Sequence, residues 1–394
     1  MSMALFGKKK TQHDFVVITI DSGSVGVAVV AETEVENVPA RHVVFSARES
    51  IVRPDSITME SYLSATQTTL VKILQTLAST TTKIPRDVHV VLSSPWQSSQ
   101  TRFVSLSKES TFKITEKVIH ELMQKEEAVF VGEAKANPSL FGSDFTLFES
   151  KTMNATLNGY PINEPIGKSA KTIELVLHLS VASHTALALL TKSIQGEVGH
   201  AHVSFHSSVF TYFAQLRDIF PEIKSFLIIE ISDALSEVTI VESSALSQSI
   251  SFPGGFQTQT ETVAKQLGRT QKEVAMYMRM YADGTLEQKL RHTLEDALTI
   301  ATKDWAVLFG QALSSLSKEV LVPDAIFLVS GSTDVAWVAE AVKSEALQDY
   351  KIASHAFNFL SLTSAHVSEF ITVATGATHD VPLELSALYV STKA

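Results

Sequence analysis

A short polar turn near the N-terminus carries the residues best suited to chemistry. Asp21, Ser22, Gly23 and Ser24 lie between two apolar stretches in the run VVITIDSGSVGVAVV, residues 16–30. This order predicts a β-hairpin that places a carboxylate at a strand end. The backbone N–H groups of such a turn can bind a phosphate, because the small side chains leave room for its approach. Many structural hairpins also turn on Ser-Gly, so the turn alone leaves both interpretations open.

The composition excludes several classes of function. The chain has 394 residues, 45% hydrophobic and 19% charged, as expected for a globular protein of roughly two to four domains. A formal charge of −10 argues against nucleic-acid binding, which requires a basic face. The absence of cysteine excludes disulfides, thiolate zinc sites and cysteine nucleophiles. No apolar run approaches the roughly 18 residues of a membrane helix.

Strands alternate with helices along most of the chain, which predicts an α/β architecture. The first part contains a predicted meander of three strands, then a helix with one apolar face and a buried strand. These elements are expected near residues 14–20, 24–31, 42–48, 56–78 and 88–92. A helix, a strand and a helix are expected further along, near residues 184–195, 201–205 and 207–217.

The region from Pro95 to Gly167 has a different texture, which predicts an inserted subdomain. The run SSPWQSS, residues 93–99, is interpreted as the crossover from the first lobe into it, because it lacks the G-x-S-x-G pattern of a nucleophile. The predicted elements are a short helix (115–124), a flexible stretch (131–143) and strands near 145–149, 152–157 and 173–181.

The second half of the chain repeats the pattern of the first. A long hairpin starts at Phe226, and Glu230 lies near the end of its first strand, as Asp21 does in the first hairpin. The later features are the turn PGGF (253–256), three predicted helices within 257–319, the strand 324–329, the turn Ser330-Gly331-Ser332 and a helix with Trp337 and Val338.

The order of two hairpins followed by a strand-Gly-helix turn resembles that of the actin-like ATPases. In these proteins two similar lobes bind ATP and Mg²⁺ between them. Within this superfamily the chain resembles the FtsA/PilM family, as a divergent member, over residues 14–378. The motifs that carry the resemblance are DSGS (21–24), GYPINEPIG (159–167), GGFQTQTETVAKQLGRTQKEVAMYMR (254–279), IFLVSGSTDVAWVAEAV (326–342) and ITVATGATHD (371–380).

The resemblance implies an actin-like two-lobed ATPase fold, made of duplicated ribonuclease-H-like domains, with the inserted subdomain of the FtsA/PilM family. The expected boundaries are 13–93 and 183–223 for the first lobe, 94–182 for the inserted subdomain, 224–262 and 323–394 for the second lobe with its return segment, and 263–322 for the helical subdomain of the second lobe.

An ATP site in the cleft between the lobes is also implied by the resemblance. Asp21 and Glu230 would hold Mg²⁺ through water, and Glu230 is the best candidate for a catalytic residue. The residues expected to bind the nucleotide are Asp21, Ser22, Gly23, Ser24, Glu230, Ser232, Gly254, Gly255, Arg279, Gly331 and Ser332.

The second phosphate turn departs from the family pattern. Its run EISDALSE, residues 230–237, has no glycine, and the Asp233 carboxylate opposes an approaching phosphate. Met276 stands where the family has the Glu that flanks the sugar, Arg279 keeps the cation, and Ser332 replaces a glycine. Two interpretations remain. Either ATP is a conformational ligand of an at most weak ATPase, or the protein is a nucleotide-free scaffold.

Two functions follow from the resemblance, of which the FtsA-like role is the leading hypothesis and the PilM-like role is the alternative. An FtsA-like division adaptor would bind the tail of an FtsZ-like polymer, self-associate through the inserted subdomain and work at the inner face of the cytoplasmic membrane. A PilM-like scaffold of the type IV pilus would dock the cytoplasmic tail of an inner-membrane pilus protein in a groove beside that subdomain. The final VPLELSALYVSTKA lacks the basic amphipathic helix of FtsA, which favours PilM, and the initial MSMALFGKKK suits peripheral membrane contact. A sugar or acid kinase would need an Asp base and intact glycine loops, and neither is found.

Three histidines occur close together in the run HAHVSFH. His200, His202 and His206 can share one face of a strand, and histidines two residues apart can bind zinc. No acid or cysteine lies nearby in the sequence to complete such a site. We therefore expect surface or interface histidines.

Overall fold

The computed structural model shows three β-sheets with helices packed on their faces. It describes residues 13–35, 38–53, 58–136, 144–316, 321–332, 335–344, 347 and 357–391. The N-terminal lysines and part of the predicted flexible stretch lie outside these residues.

The first sheet is built around the strand that ends at the Asp21 turn. That strand is buried on both faces, because Phe15 and Val17 pack into one apolar cluster and Val16, Ile18 and Ile20 pack into another. The strands are β1 (His13–Ile20), β2 (Ser24–Val35), β3 (Val38–Ser50), β4 (Asp87–Leu92), β9 (His202–Ser207) and β15 (Thr372–Val373). Their order across the sheet is β15-β3-β2-β1-β4-β9.

The second sheet repeats this topology. Its strands are β10 (Phe226–Ile231), β11 (Leu235–Glu242), β12 (Ala245–Pro253), β13 (Ala325–Ser330) and β14 (Asn358–Ser361). Their order, β12-β11-β10-β13-β14, matches β3-β2-β1-β4-β9, with an antiparallel meander followed by two parallel strands in each case. Asp21 directly follows β1. Glu230 is the second-last residue of the equivalent strand, β10, so both residues lie at the carboxyl end of a central strand.

A single apolar cluster joins the two sheets. It includes Phe15 and Phe226 from their central strands, Tyr212 from one connecting helix and Leu388 from the last helix, all buried. The last helix is buried on every side, as expected for an apolar run without a polar face. The helices around the two sheets are α1 (Met59–Thr80), α3 (His184–Val198), α4 (Ser208–Ile219), α5 (Phe256–Leu267), α6 (Gln271–Ala282), α7 (Gln288–Leu316), α8 (Ala336–Val342), α9 (Ser364–Val367) and α10 (Val381–Ser391).

The third sheet forms the centre of the inserted region. Its strands are β5 (Ser98–Lys113), β6 (Thr146–Leu157), β7 (Tyr160–Pro161) and β8 (Ser169–Ala182), in the order β5-β8-β6-β7, and it is covered by α2 (Glu116–Ala136). The predicted boundaries of lobes and subdomain are not tested by this topology and stay predictions.

Several details of the inserted region differ from the sequence-based expectation. The helix predicted over 115–124 continues to Ala136, through part of the stretch expected to be flexible. The two strands predicted at 145–149 and 152–157 are one strand, β6, whose pairing with β8 shifts twice. β5 was not predicted, because its sequence is mostly polar and it lies at the edge of the sheet.

A buried polar network connects the inserted sheet to the first sheet and the last helix. Glu149 of β6 accepts hydrogen bonds from the backbone N–H of Ser207 at 3.0 Å, the Ser207 hydroxyl at 2.6 Å and the Tyr389 hydroxyl at 3.1 Å. His206 Nδ1 and His178 Nε2 lie 3.5 and 4.0 Å from its oxygens. Burial alone would raise the pKa of Glu149, but these histidines and Ser207 lower it to about 2.

This network corrects one expectation about the histidines. His200 and His202 are exposed, as predicted, but His206 is buried against Glu149 and His89. Its acidic partner lies 57 positions earlier in the chain, so the local search for an acid could not find it. No group of His, Asp and Glu in the described part of the chain has the arrangement of a metal site.

We expect Glu149→Gln to remove an acid-sensitive contribution to stability. The carboxylate stays charged in the folded chain down to a pKa of about 2, whereas its ordinary value is 4.5. Its stabilisation is therefore present above pH 4.5 and lost as the pH falls from 4.5 to 2, on the order of 3 kcal/mol in total. Urea unfolding of wild type and variant between pH 7 and about pH 2.5 measures the difference.

Tyr389→Phe is the control, because it removes one hydrogen bond to Glu149 and leaves the carboxylate in place. Its free energy of unfolding should fall by about 1 kcal/mol with little change in the pH profile. Superimposable pH profiles of wild type and Glu149→Gln would contradict this role of Glu149.

Candidate functional site

The two turns predicted to bind phosphate are in direct contact. The Ser22 hydroxyl oxygen lies 2.5 Å from the Ser232 hydroxyl oxygen and accepts hydrogen bonds from the backbone N–H groups of Ala234 (3.0 Å) and Leu235 (3.2 Å). A Cβ atom added at Gly23 would lie only 1.9 Å from the Cβ of Asp233. No phosphate group fits directly between Gly23 and Asp233, and the cavity of about 290 Å³ that borders both turns is lined mainly by apolar groups.

The Asp21 carboxylate is saturated by donors of the chain itself. Its Oδ1 accepts the N–H groups of Gly23 at 2.7 Å and Ser24 at 2.8 Å. Its Oδ2 accepts the Ser24 hydroxyl at 2.6 Å and Nη1 of Arg48 at 3.0 Å. Four donors occupy the positions that metal-bound waters would need.

Arg48 is the central cation of the site, and sequence reasoning missed it. Its guanidinium donates to Asp21, to Ser24, to Thr19 at 3.1 Å and to both carboxylate oxygens of Asp380 at 2.7 and 2.9 Å. All five N–H donors are therefore used. Burial alone would lower its pKa, but Asp380 and Asp21 raise it, so the charge is constant. The one signal in the sequence was an arginine within the strand run HVVFSARES.

Arg48 also contacts the predicted nucleoside turn of the second lobe. A Cβ atom added at Gly331 would lie 2.9 Å from Nε of Arg48. In the same turn, the N–H of Ser332 donates to the Ser330 hydroxyl at 3.1 Å. The glycine at 331 is thus required by the approach of the arginine.

Glu230 lies beside these turns with both carboxyl oxygens engaged. The Ser93 hydroxyl donates to Oε1 at 2.6 Å and the Ser208 hydroxyl to Oε2 at 2.8 Å. Burial and the nearby Glu237 raise the pKa of Glu230 to about 8, so the carboxyl is mostly protonated at neutral pH. Mg²⁺ would have to displace this proton in order to bind near Glu230.

The remaining predicted residues have structural neighbours of their own. A Cβ atom at Gly255 would lie 2.2 Å from the backbone oxygen of Asp233, and one at Gly254 would lie 2.6 Å from the Phe252 ring. Close packing of the chain on itself therefore explains both glycines. Arg279 is exposed on α6, in the helical part of the second lobe.

Comparison with known proteins identifies the fold. No family model matches the sequence, and no curated protein matches it significantly. Among solved structures, the chain is similar to the "PilM-PilN type IV pilus biogenesis complex", with a TM-score of 0.63 and 15% identity over 96% of this chain and 97% of that chain. The fold is that of the actin-like ATPases. The fold class predicted from the sequence is confirmed.

Two further matches are more distant. The ethanolamine utilization protein EutJ from Carboxydothermus hydrogenoformans has a TM-score of 0.44 and 8% identity, covering 96% of this chain and 89% of that one. A protein from Bacteroides thetaiotaomicron, with an actin-like ATPase fold and unknown function, has a TM-score of 0.40 and 9% identity over 99% of both chains.

The residues of this chain do not fit Mg²⁺ and ATP in the observed arrangement. The N–H groups of the second turn are bonded to Ser22, the Asp21 carboxylate is saturated, and Glu230 is mostly neutral. The predicted residues Asp21, Ser22, Gly23, Ser24 and Ser232 do come together. In this arrangement they form hydrogen bonds with other groups of the chain. Their assignment to a nucleotide therefore stays a prediction without support from this geometry.

We expect Glu230→Gln to become more stable relative to wild type as the pH rises. Unfolding lowers the pKa of Glu230 from about 8 to its ordinary 4.5, so the wild-type chain loses stability between pH 4.5 and 8. The uncharged glutamine has no such dependence. The difference in the free energy of unfolding between Glu230→Gln and wild type should grow by on the order of 2 kcal/mol. This is less than the full pKa shift of Glu230 implies, because water partly reaches the side chain.

Urea unfolding at pH 5, 6.5 and 8 measures this difference. Glu222→Gln, at an exposed position outside the cleft, is the matched control and should show no growing difference. A constant difference between wild type and Glu230→Gln across this range would show that Glu230 is not protonated in the folded chain.

Proposed function

We propose that this chain is a PilM-like cytoplasmic scaffold, which holds a short tail of an inner-membrane pilus protein at the inner face of the membrane. The observation that carries the proposal is the similarity to the PilM–PilN complex over almost the full length of both chains. Among the described residues, none of the helices meets the length and hydropathy needed to cross a bilayer.

The structure offers a groove for such a segment between two sheets. β5 is an edge strand of the inserted sheet and β12 is an edge strand of the second sheet. The Thr101 hydroxyl donates to the backbone oxygen of Leu246 at 3.0 Å and joins the two strands at one point. Beside this contact lies a groove of about 600 Å³, with Phe103 on one wall and Ser249 on the other.

The lining of the groove favours an extended, largely uncharged peptide. Its side chains are mostly hydroxyls and amides, such as Ser99, Gln100 and Gln248. The one arginine, Arg102, is already paired with Glu126 at 2.7 Å and with Glu133 at 2.9 Å. Edge strands offer unpaired backbone groups to a further strand, so the peptide would bind by adding to β5 or β12, with an apolar side chain on Phe103.

Binding of tail peptides tests this function. We expect a labelled peptide from the cytoplasmic tail of an inner-membrane pilus protein of the same organism to bind, as measured by fluorescence anisotropy. Phe103→Asp should weaken binding at least about tenfold, because it places an unpaired charge at the apolar anchor. Tyr160→Asp is the matched control, since Tyr160 is 76% exposed and Phe103 is 77% exposed, but Tyr160 lies on the opposite edge of the inserted sheet.

An FtsZ tail peptide is measured in parallel. Binding of that peptide in place of the pilus tail would contradict the pilus assignment and favour a division adaptor. Equal affinities of the two Asp variants for the pilus peptide would place the docking surface elsewhere.

A further inference from the structure

We propose that the two phosphate turns of this chain bind each other in place of a nucleotide, so that the lobes close without ATP. The proposal is independent of the peptide groove and concerns the cleft alone. It rests on three features of the contact between the turns, which are the hydroxyl of Ser22, the backbone around Asp233 and the guanidinium of Arg48.

The Ser22 hydroxyl takes the position of a phosphate oxygen. In an anion-binding turn, successive backbone N–H groups converge on one acceptor. Here the N–H groups of Ala234 and Leu235 converge on Ser22 Oγ, at 3.0 and 3.2 Å, and the Ser232 hydroxyl completes the set. The second turn keeps the backbone geometry of an anion site, and a side chain from the opposite lobe occupies it.

Asp233 packs closely against a glycine of each turn region. A Cβ atom at Gly23 would lie 1.9 Å from the Asp233 Cβ, and one at Gly255 would lie 2.2 Å from the Asp233 backbone oxygen. The Asp233 side chain also brings a carboxylate into the position where a triphosphate would carry negative charge. A nucleotide would therefore have to separate the lobes and approach a like charge.

Arg48 supplies the positive charge that a bound metal would otherwise bring to Asp21. It also holds Asp380, whose Oδ1 accepts the N–H of Leu383 at 3.0 Å at the start of α10. The arginine thus links the first turn to the last helix and packs against Gly331 of the second lobe. If Mg²⁺ displaced Arg48, the carboxylates of Asp21 and Asp380 would lose their hydrogen bonds to the guanidinium.

Calorimetry of the wild-type chain is the first test. Titration with Mg²⁺–ATP at millimolar concentration should give no saturable heat, and the melting temperature should stay within about 1 °C of its value without nucleotide. Saturable binding, with a rise of several degrees in melting temperature, would overturn the proposal.

The second test measures the distance between the lobes. The chain has no cysteine, so Thr68→Cys on α1 and Lys272→Cys on α6, both exposed, provide a clean pair for nitroxide labels. Pulsed EPR should give one narrow distance, unchanged by Mg²⁺–ATP. In the same background, Ser22→Ala and Arg48→Met should broaden the distribution toward longer distances.

Ser193→Ala is the matched control for the distance measurement. Ser193 is also buried, but its hydroxyl bonds to Leu189 and Gln67, both on helices that pack on the first sheet. It should lower stability without changing the distance. Distributions that stay narrow and unchanged in both Ser22→Ala and Arg48→Met would show that these residues do not close the cleft. Because the calorimetry uses the wild-type chain, poor folding of a variant would not affect that first test.

Discussion

The apolar cluster between the two sheets brings the two turns to the same side of the molecule, where Ser22 and Arg48 join them. Phe15, Tyr212, Phe226 and Leu388 come from four different elements and are all buried in one cluster. Burial of apolar area at about 25 cal/mol per Å² makes this a large stabilising contribution to the relative position of the sheets. The central strands end at the same side of the cluster, so their turns face each other there.

Once the turns meet, their polar groups must satisfy one another. Hydroxyl, amide and carboxyl groups that leave water without a partner cost free energy. The hydroxyls of Ser22, Ser93 and Ser208 each bond across or beside the cleft, and Glu230 avoids the cost of a buried charge by keeping its proton. These serine contacts are thus consistent with a closed cleft.

The sequence predicted those features of the fold that depend on local patterns. The apolar runs that begin at Phe15 and Phe226 indicated the two central strands, and their similar turns indicated the duplication. β5 was not predicted, because its sequence is mostly polar and polar residues are tolerated at a sheet edge. The full length of α2 was not predicted either, because the Gly, Pro and Asn residues that suggested flexibility lie mostly after the helix.

The candidate site shows the opposite case, since its key interactions join residues far apart in the chain. Asp21 and Ser22 were recognised from their turn, but Arg48 has one of its acidic partners 332 positions away. No pattern in the sequence around Arg48 indicates its pairing with Asp380. The same holds for the proton of Glu230, which depends on the burial of the strand end and on Glu237, against the opposing effect of the Ser93 and Ser208 hydroxyls.

A closed cleft has a consequence for how such a scaffold can bind a partner. A ligand shifts the position of two lobes only if it binds one arrangement more tightly than another. In this chain the turns already hold one arrangement through Ser22 and Arg48, so the groove between β5 and β12 is formed before any peptide arrives. Binding then avoids the cost of ordering the two sheets against each other, and that saving adds to the affinity for the peptide. Under the two proposals, the contacts that close the cleft would therefore also favour docking of a protein segment on a rigid surface.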